Sequence, residues 1–270
     1  MSVDYLSTYT LVAIQSALQA GEIIRQGFGT QYEVNEKPGF QNYVTTYDHL
    51  SEASIISSLQ THFPSHHILA EEKGSVRSTT PHSPFTWIID PIDGTTNFTR
   101  HIPLFTISIA LYHHQEGICG VIYQPMTHEL FVAEKGKGAY LNGVPLHVSA
   151  VHQIQDSVIA VSFPSSVQQI PILSVNHLME LNQLGATLRN LGSAALALAY
   201  LAAGKIDGFW MPHLYPWDLA AGKLLIEEAQ GVITSYEIKG SILEFPSSLL
   251  ASNGKLHQQL LSYITHFLTP

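Results

Sequence analysis

The chain reads as a mixed α+β / α/β fold, layered helices and sheets in two subdomains that meet near residue 148. Three observations predict it. Apolar residues recur at helical spacing through the first sixty positions. From Leu104 to Val148 short β-rich runs alternate with turn residues, the pattern of an antiparallel meander. After Val148, strand-like and helix-like runs alternate, as in an α/β layer. With 270 residues, 45% of them hydrophobic, the chain can bury the cores of two joined subdomains, 1–148 and 149–270.

The elements follow in order. Leu6, Tyr9, Val12, Ala17 and Ile24 mark a helix from Tyr5 to about Gln26, stopped by Gly27-Phe28-Gly29. Lys37-Pro38-Gly39 is a loop. Thr45-Thr46 offers an N-cap for a second helix, whose stripe is Leu50, Ile55, Ile56 and Leu59 and which ends before Pro64. Ile68–Ala70 is a short buried strand, Ser75–Pro84 a polar loop and Trp87–Asp90 the next strand. The meander holds Thr106–Tyr112, Gly117–Tyr123, Glu129–Glu134 and Gly138–Leu141, with Asn142-Gly143 as a hairpin turn. The second half holds strands Asp156–Ser162, Ala186–Asn190, Gly208–Met211, Gly231–Thr234 and Leu249–Ser252. Its helices are Gln168–Gln183, Ser193–Ala203 (capped by Gly204), Pro216–Ala229 and Lys255–Phe267.

Composition narrows the function. A formal net charge of −9 disfavours non-specific binding to nucleic acid or to an anionic membrane. The single cysteine, Cys119, excludes an intrachain disulfide and sits in an apolar run, as a small buried hydrophobe does. The opening MSVDYLSTYT has no basic region and no long apolar core, so no signal peptide is expected and a cytoplasmic location fits. Leu191–Gly204 is too short to span a bilayer. The 15 histidines are scattered without metal-ligand spacing. Ser162, Ser165 and Ser166 lack the G-x-S-x-G elbow of a serine hydrolase.

The densest signal is WIIDPIDGTTNF, Trp87–Phe98. An apolar run ends in two acids three residues apart, Asp90 and Asp93, with a turn at Gly94 and hydroxyls at Thr95 and Thr96 where a helix can begin. These are the parts that hold hard cations beside a phosphate. Asp48 in VTTYD, Glu71 in ILAEE and Asp218 in PWDLAAG share the context of a strand end or a helix start. Clustered carboxylates repel one another unless cations sit among them, and all-oxygen ligation selects Mg²⁺, with Mn²⁺ as the alternative.

Together ILAEE (68–72), WIIDPIDGTTNF (87–98) and WDLAAGKLLIEEAQG (217–231) resemble the inositol monophosphatase family of Mg²⁺-dependent, lithium-sensitive phosphatases, over about Lys37 to Gly231. The resemblance implies a layered α-β-α-β-α sandwich of the sugar-phosphatase type, a homodimer and two or three Mg²⁺ per site. It implies that Glu71, Asp90 and the Ile92 carbonyl hold one cation, that Asp90, Asp93 and Asp218 hold a second, and that Asp48 stands near a third through water. Glu71 and Thr95 would position the attacking water as partners, with Glu72 in support or facing solvent. Gly94 and Thr95 amides would cradle phosphate, and Asp93, Ala194, Asp218 and Lys37 would face phosphate or substrate. The implied reaction is metal-assisted hydrolysis without a phosphoenzyme.

The substrate is the point of departure. Met211 stands where inositol-hydrolysing members carry an acid that binds ring hydroxyls, and a thioether is a weak acceptor. His213 is the candidate substitute. Gln230 replaces the family's usual glycine, with an effect expected on packing alone. Inositol monophosphate, fructose 1,6-bisphosphate, nucleotide 3′-phosphates and histidinol phosphate all remain open, as does a non-catalytic metal-binding regulatory protein.

Overall fold

The structure is a computed structural model, and it describes residues 6–38, 42–162, 172–235 and 247–265. Helix α1 (Thr8–Gly27) is capped by the Ser7 hydroxyl. Strands β1 (Val34–Glu36) and β2 (Tyr43–Thr45) pair as an antiparallel ribbon leading into α2 (Thr46–His62). Thr45 and Asp48 form a reciprocal capping box at the start of α2, worth about 1 kcal/mol in a typical helix. Next come β3 (His67–Ala70), β4 (Gly74–Val76), β5 (Phe85–Asp93) and the short α3 (Thr95–Thr99). The meander is β6 (Thr106–His113), β7 (Glu116–Gln124), β8 (Glu129–Glu134), β9 (Gly138–Leu141) and β10 (Val144–Pro145). Asn142 and Gly143 both take positive φ in the β9–β10 turn, as an Asn-Gly hairpin requires.

The rest of the chain supplies β11 (Val158–Val161), α4 (Ile172–Gln183), β12 (Thr187–Arg189), α5 (Ala194–Ala202), β13 (Gly208–Leu214), α6 (Pro216–Glu228), β14 (Val232–Ser235), β15 (Ser247–Ser252) and α7 (His257–Thr265). Strands from residues 67–145 form one sheet in the order β10-β9-β8-β7-β6-β5-β3-β4, and strands from residues 158–252 form another in the order β12-β11-β13-β15-β14.

Strand alternation sorts the core into three slabs. Trp87, Ile89, Ile107, Ile109, Val121 and Val132 meet α1 and α2 on one face of the large sheet. Ile88, Ala110, Ile122 and Phe131 face α5 and α6 on the other, where Ala160, Phe209 and Leu249 of the small sheet join them. Ile159, Val161, Trp210 and Leu250 face α4 and α7. The result is the α-β-α-β-α sandwich. Small residues set the spacing of its central layer: a Cβ on Gly222 of α6 would lie 2.5 Å from Leu198 Cβ of α5, so glycine is what lets the two helices touch.

Four expectations are corrected. The segment expected as the polar loop Ser75–Pro84 begins inside β4, which pairs with β3. Asp156 closes a 3-10 turn before β11 instead of starting the strand. Strand β5 continues through Pro91 to Asp93. Gln230 matters for the backbone, not packing: it takes φ +68 just past the end of α6, a left-handed position that suits glycine and costs other residues about 1 kcal/mol. Gly39, Ser165, Ser166 and the expected helix start at Gln168 lie outside the described residues. Cys119 is fully buried, and burial pushes its thiol up to about 12. Among the described residues no helix is long and apolar enough to cross a membrane.

Candidate active site

Residues three apart on a regular strand point to opposite faces, so Asp90 and Asp93 should diverge. A bulge in β5 prevents this. Asp90 pairs with Ser108 and Asp93 with Thr106, so Pro91 and Ile92 together oppose the single residue Ile107. The extra residue restores parity and brings both carboxylates to one side. Carboxylate oxygens of Asp90, Asp93 and Asp218 all lie within 4.8 Å of one another. The Ile92 side chain is buried in the core, its N–H donates to Asp90 Oδ1 at 3.0 Å, and its carbonyl accepts from the Thr95 hydroxyl at 3.0 Å.

Two helix starts hold the other acids. Asp93 accepts from the Ser193 hydroxyl and from the backbone N–H of Ala194 (3.3 Å) and Ala195 (2.7 Å), the first turn of α5. Ser193 also caps that helix by accepting from Leu196 N–H at 3.2 Å. The Ala194 amide, expected to meet substrate, is thus engaged by Asp93, although Ala194 still lines the cavity described below. Asp218, third residue of α6, turns back to accept the Tyr215 N–H at 2.8 Å. Tight packing of α5 and α6 therefore fixes Asp218 against Asp93.

Helix α2 supports the site from beneath. Fully buried Asp48 takes the Thr45 N–H (2.7 Å) and hydroxyl (2.6 Å) on Oδ2 and accepts from the Thr95 hydroxyl at 3.1 Å on Oδ1. This Thr95–Asp48 bond ties the start of α3 to the first turn of α2. Both Asp48 oxygens accept hydrogen bonds from the protein, which fixes the carboxylate in place. Ser51 donates to the Pro91 carbonyl at 3.1 Å, and buried Glu52 accepts from the N–H of Glu72 (2.8 Å) and Lys73 (3.0 Å).

Glu71 and Glu72 share one cation: Lys37 Nζ lies 2.7 Å from Glu71 Oε1 and 2.8 Å from Glu72 Oε1. Burial alone would lower the Lys37 ammonium, but the charges and hydrogen bonds of Glu71 and Glu72 together outweigh it and the pKa is raised. The Glu72 side chain is 6% exposed, so it does not face solvent.

The acids are held under electrostatic strain. Burial pushes Asp90 well above the usual carboxylate range, and Glu71, Asp93 and Asp218 add to it. Asp218 is raised by burial and then by Asp93. Asp93 rises to about 6 by burial, against the Ser193 and amide hydrogen bonds that favour its charge. Asp48 rises to about 7, again chiefly by burial. Convergent, desolvated carboxylates, with oxygen the ligand atom of each among the described residues, are a fit for hard divalent cations, which relieve the repulsion that raises these values.

A cavity of about 190 Å³ opens beside the acids. Glu71, Asp93 and Asp218 form its acidic side and Gly94, Thr95 and Thr96 the turn of α3. Gly94 has φ +98, and a Cβ there would sit 3.0 Å from the Leu104 carbonyl and 3.1 Å from that of Gly192. Tyr43, Ser162, Gly192 and Met211 complete the walls. Met211 thus stands in the cavity, whereas His213 is not among its lining residues: it takes φ +57 at a β13 irregularity, with Nδ1 buried and unpartnered. Lys37 reaches the cavity only through Glu71. Sequence reasoning missed Ser193, Ser51 and Glu52. The available signal for Glu52 was an acid on the same helical face as Asp48, Ile55 and Ile56.

A model of the inositol monophosphatase family matches residues 5–267. The inositol-1-monophosphatase of Caulobacter vibrioides is 38% identical over 252 residues, covering 92% of this chain and 97% of that protein. The Nus factor SuhB of Escherichia coli (strain K12) is 36% identical over 252 residues, 93% of each chain. Among solved structures, the extragenic suppressor protein suhB from Bartonella henselae matches with a TM-score of 0.89 at 35% identity, over 96% of this chain and 98% of that one.

Proposed function

This chain belongs to the inositol monophosphatase family, and we propose that it hydrolyses a small phosphate monoester with the help of divalent cations, Mg²⁺ first and Mn²⁺ as the alternative. The observation that carries the reading is the convergence of Asp90, Asp93 and Asp218 within 4.8 Å beside a cavity walled by Gly94, Thr95 and Thr96. In this reading residues 1–148 supply Glu71, Asp90, the Ile92 carbonyl and Asp93, and residues 149–270 supply Asp218 and the Met211 wall. Cations bound there acidify water and offset charge on the leaving oxygen.

The chain's own groups do the rest. The Thr95 hydroxyl proton points to Asp48 or to the Ile92 carbonyl, which leaves the Thr95 oxygen free to accept from a water and orient it. Glu71 orients the same water from the opposite side once its carboxylate leaves Lys37. The first amides of α3 bind phosphate oxygens at Gly94 and Thr95. Ser193 and two α5 amides keep Asp93 from swinging away.

Met211 sets the substrate question, because it removes a strong acceptor from the cavity wall. Phosphate release from inositol 1-phosphate, fructose 1,6-bisphosphate, a nucleotide 3′-phosphate and histidinol phosphate, each with Mg²⁺ and with and without Li⁺, ranks the classes. Release from at least one, inhibited by Li⁺, is expected. The relative called a Nus factor favours a second reading, a regulatory protein that retains the cation site. Silence across the whole substrate panel, with Mg²⁺ still bound, is the outcome that reading requires.

A further inference from the structure

Three consecutive contact positions on one face of α2, Asp48, Ser51 and Glu52, are fully buried polar side chains at i, i+3 and i+4. Each grips a different segment of the site. Asp48 holds Thr95, Ser51 holds the Pro91 carbonyl inside the β5 bulge, and Glu52 holds the turn after Glu71. We propose that Glu52 is a positioning residue: through the amides of Glu72 and Lys73 it fixes Glu71 relative to Asp90, and so sets the affinity of the site for a divalent cation. The inference rests on the proposed cation-dependent reaction.

Packing does not explain a carboxylate at this position. Glu52 is 0% exposed, with buried Ile55 and Ile56 following it on the same face of α2, where leucine or methionine would bury more favourably. Both of its oxygens are used, at 2.8 and 3.0 Å, by two successive amides. Elsewhere the turn is held by the β3–β4 pair that closes it and, through its side chains, by Lys37; Glu52 is what ties its backbone to α2. Residues 71–73 link the short strands β3 and β4, and the Glu71 N–H reaches the Ile89 carbonyl at a long 3.3 Å. With the turn clamped, the Glu71 side chain can leave Lys37 without moving its backbone. Outer groups that orient metal ligands typically contribute 10–100-fold in metal affinity.

The test uses the full chain and Mn²⁺ alone, followed by isothermal titration calorimetry, with thermal unfolding of the chelated protein and KM for substrate at saturating metal. Glu52→Gln keeps one acceptor but turns a donor toward the second amide. It should weaken Mn²⁺ binding by about tenfold or more while KM moves less than about twofold. Glu52→Asp, charged but too short to span both amides, should not rescue it. Ser58→Ala, which removes a bond between α2 and Ser16 of α1, should leave Mn²⁺ affinity unchanged. Should Glu52→Gln fail to fold, Glu52→Asp is read the same way. A folded Glu52→Gln, or in its absence Glu52→Asp, that binds Mn²⁺ like the wild type overturns the proposal. A wild-type chain that binds no Mn²⁺ overturns the cation reading itself, a distinguishable result.

Discussion

Replacing Asp93 by asparagine separates holding a cation from holding the fold. In the metal-free protein the Asp93 carboxylate is buried and its pKa rises from 3.8 to about 6, so at pH 8 keeping it charged costs roughly 3 kcal/mol. Asparagine removes that charge. Its oxygen can take over the Ser193 and Ala195 bonds, and its amide then faces the Ala194 N–H at 3.3 Å, forfeiting one hydrogen bond of about 1 kcal/mol. Charge-assisted bonds weaken as well, so the net expectation for chelated Asp93→Asn at pH 8 is stability equal to wild type or higher by about 1–2 kcal/mol. Activity moves the other way. Losing a ligand that offsets several kcal/mol of developing charge lowers kcat/KM by about 10³-fold or more. Thermal unfolding in EDTA and in Mg²⁺, beside phosphate release, reads both: wild type should gain far more from Mg²⁺ than the variant. Near-wild-type turnover refutes the reasoning. So does a chelated variant destabilised by 2 kcal/mol or more, on the order of a core defect, which would make Asp93 chiefly the anchor of α5.

The remaining predictions concern charge, backbone and specificity. Asp48, at about 7, and Asp90 and Asp218, both raised, bind protons more tightly folded than unfolded, so their contribution to stability falls as pH rises toward 8. Chelated protein should therefore unfold at a lower temperature at pH 8.5 than at pH 7, each extra proton counting for about 1.4 kcal/mol per pH unit, and Mg²⁺ should flatten the slope. The comparison stays above pH 7 because the lowered values of His66 and His257 oppose it at acidic pH. A midpoint that is flat or rises with pH in EDTA counts against the strained-acid account. Gly94→Ala should cost more than about 2 kcal/mol in urea unfolding, since φ +98 and two carbonyls within 3.1 Å leave no place for a methyl group. Met211→Glu should raise kcat/KM for inositol 1-phosphate relative to histidinol phosphate by about tenfold or more, and an unchanged ratio removes Met211 as the specificity determinant.

Much of this was legible in the chain because its signals are local. Helical spacing at Val12, Ala17 and Ile24, the Thr45 cap and the Asn142-Gly143 turn each report on neighbours a few residues away. The five-layer stacking came through the motif resemblance, and three acids that resemblance places in one centre do converge. What stayed hidden depends on distant partners. The bulge that swings Asp90 and Asp93 to one side is a property of the β5–β6 register, which a single strand does not carry. Ser193 meets Asp93 a hundred residues away in sequence, and Glu52 meets an amide twenty residues on. Thr95 reaches Asp48 47 residues back in the chain, a bond no local pattern announces. His213, the candidate substitute for the missing acid, is not among the residues lining the cavity, and nothing in its local sequence announces that.

The central claim is that Asp90, Asp93 and Asp218 gather divalent cations for phosphate monoester hydrolysis. Its most direct test is phosphate release by chelator-stripped protein as Mg²⁺ is added back, using the best substrate of the panel. The account predicts no release in EDTA and a saturable rise with Mg²⁺. Full activity without metal, or none at any Mg²⁺ or Mn²⁺ concentration on any substrate, would contradict it.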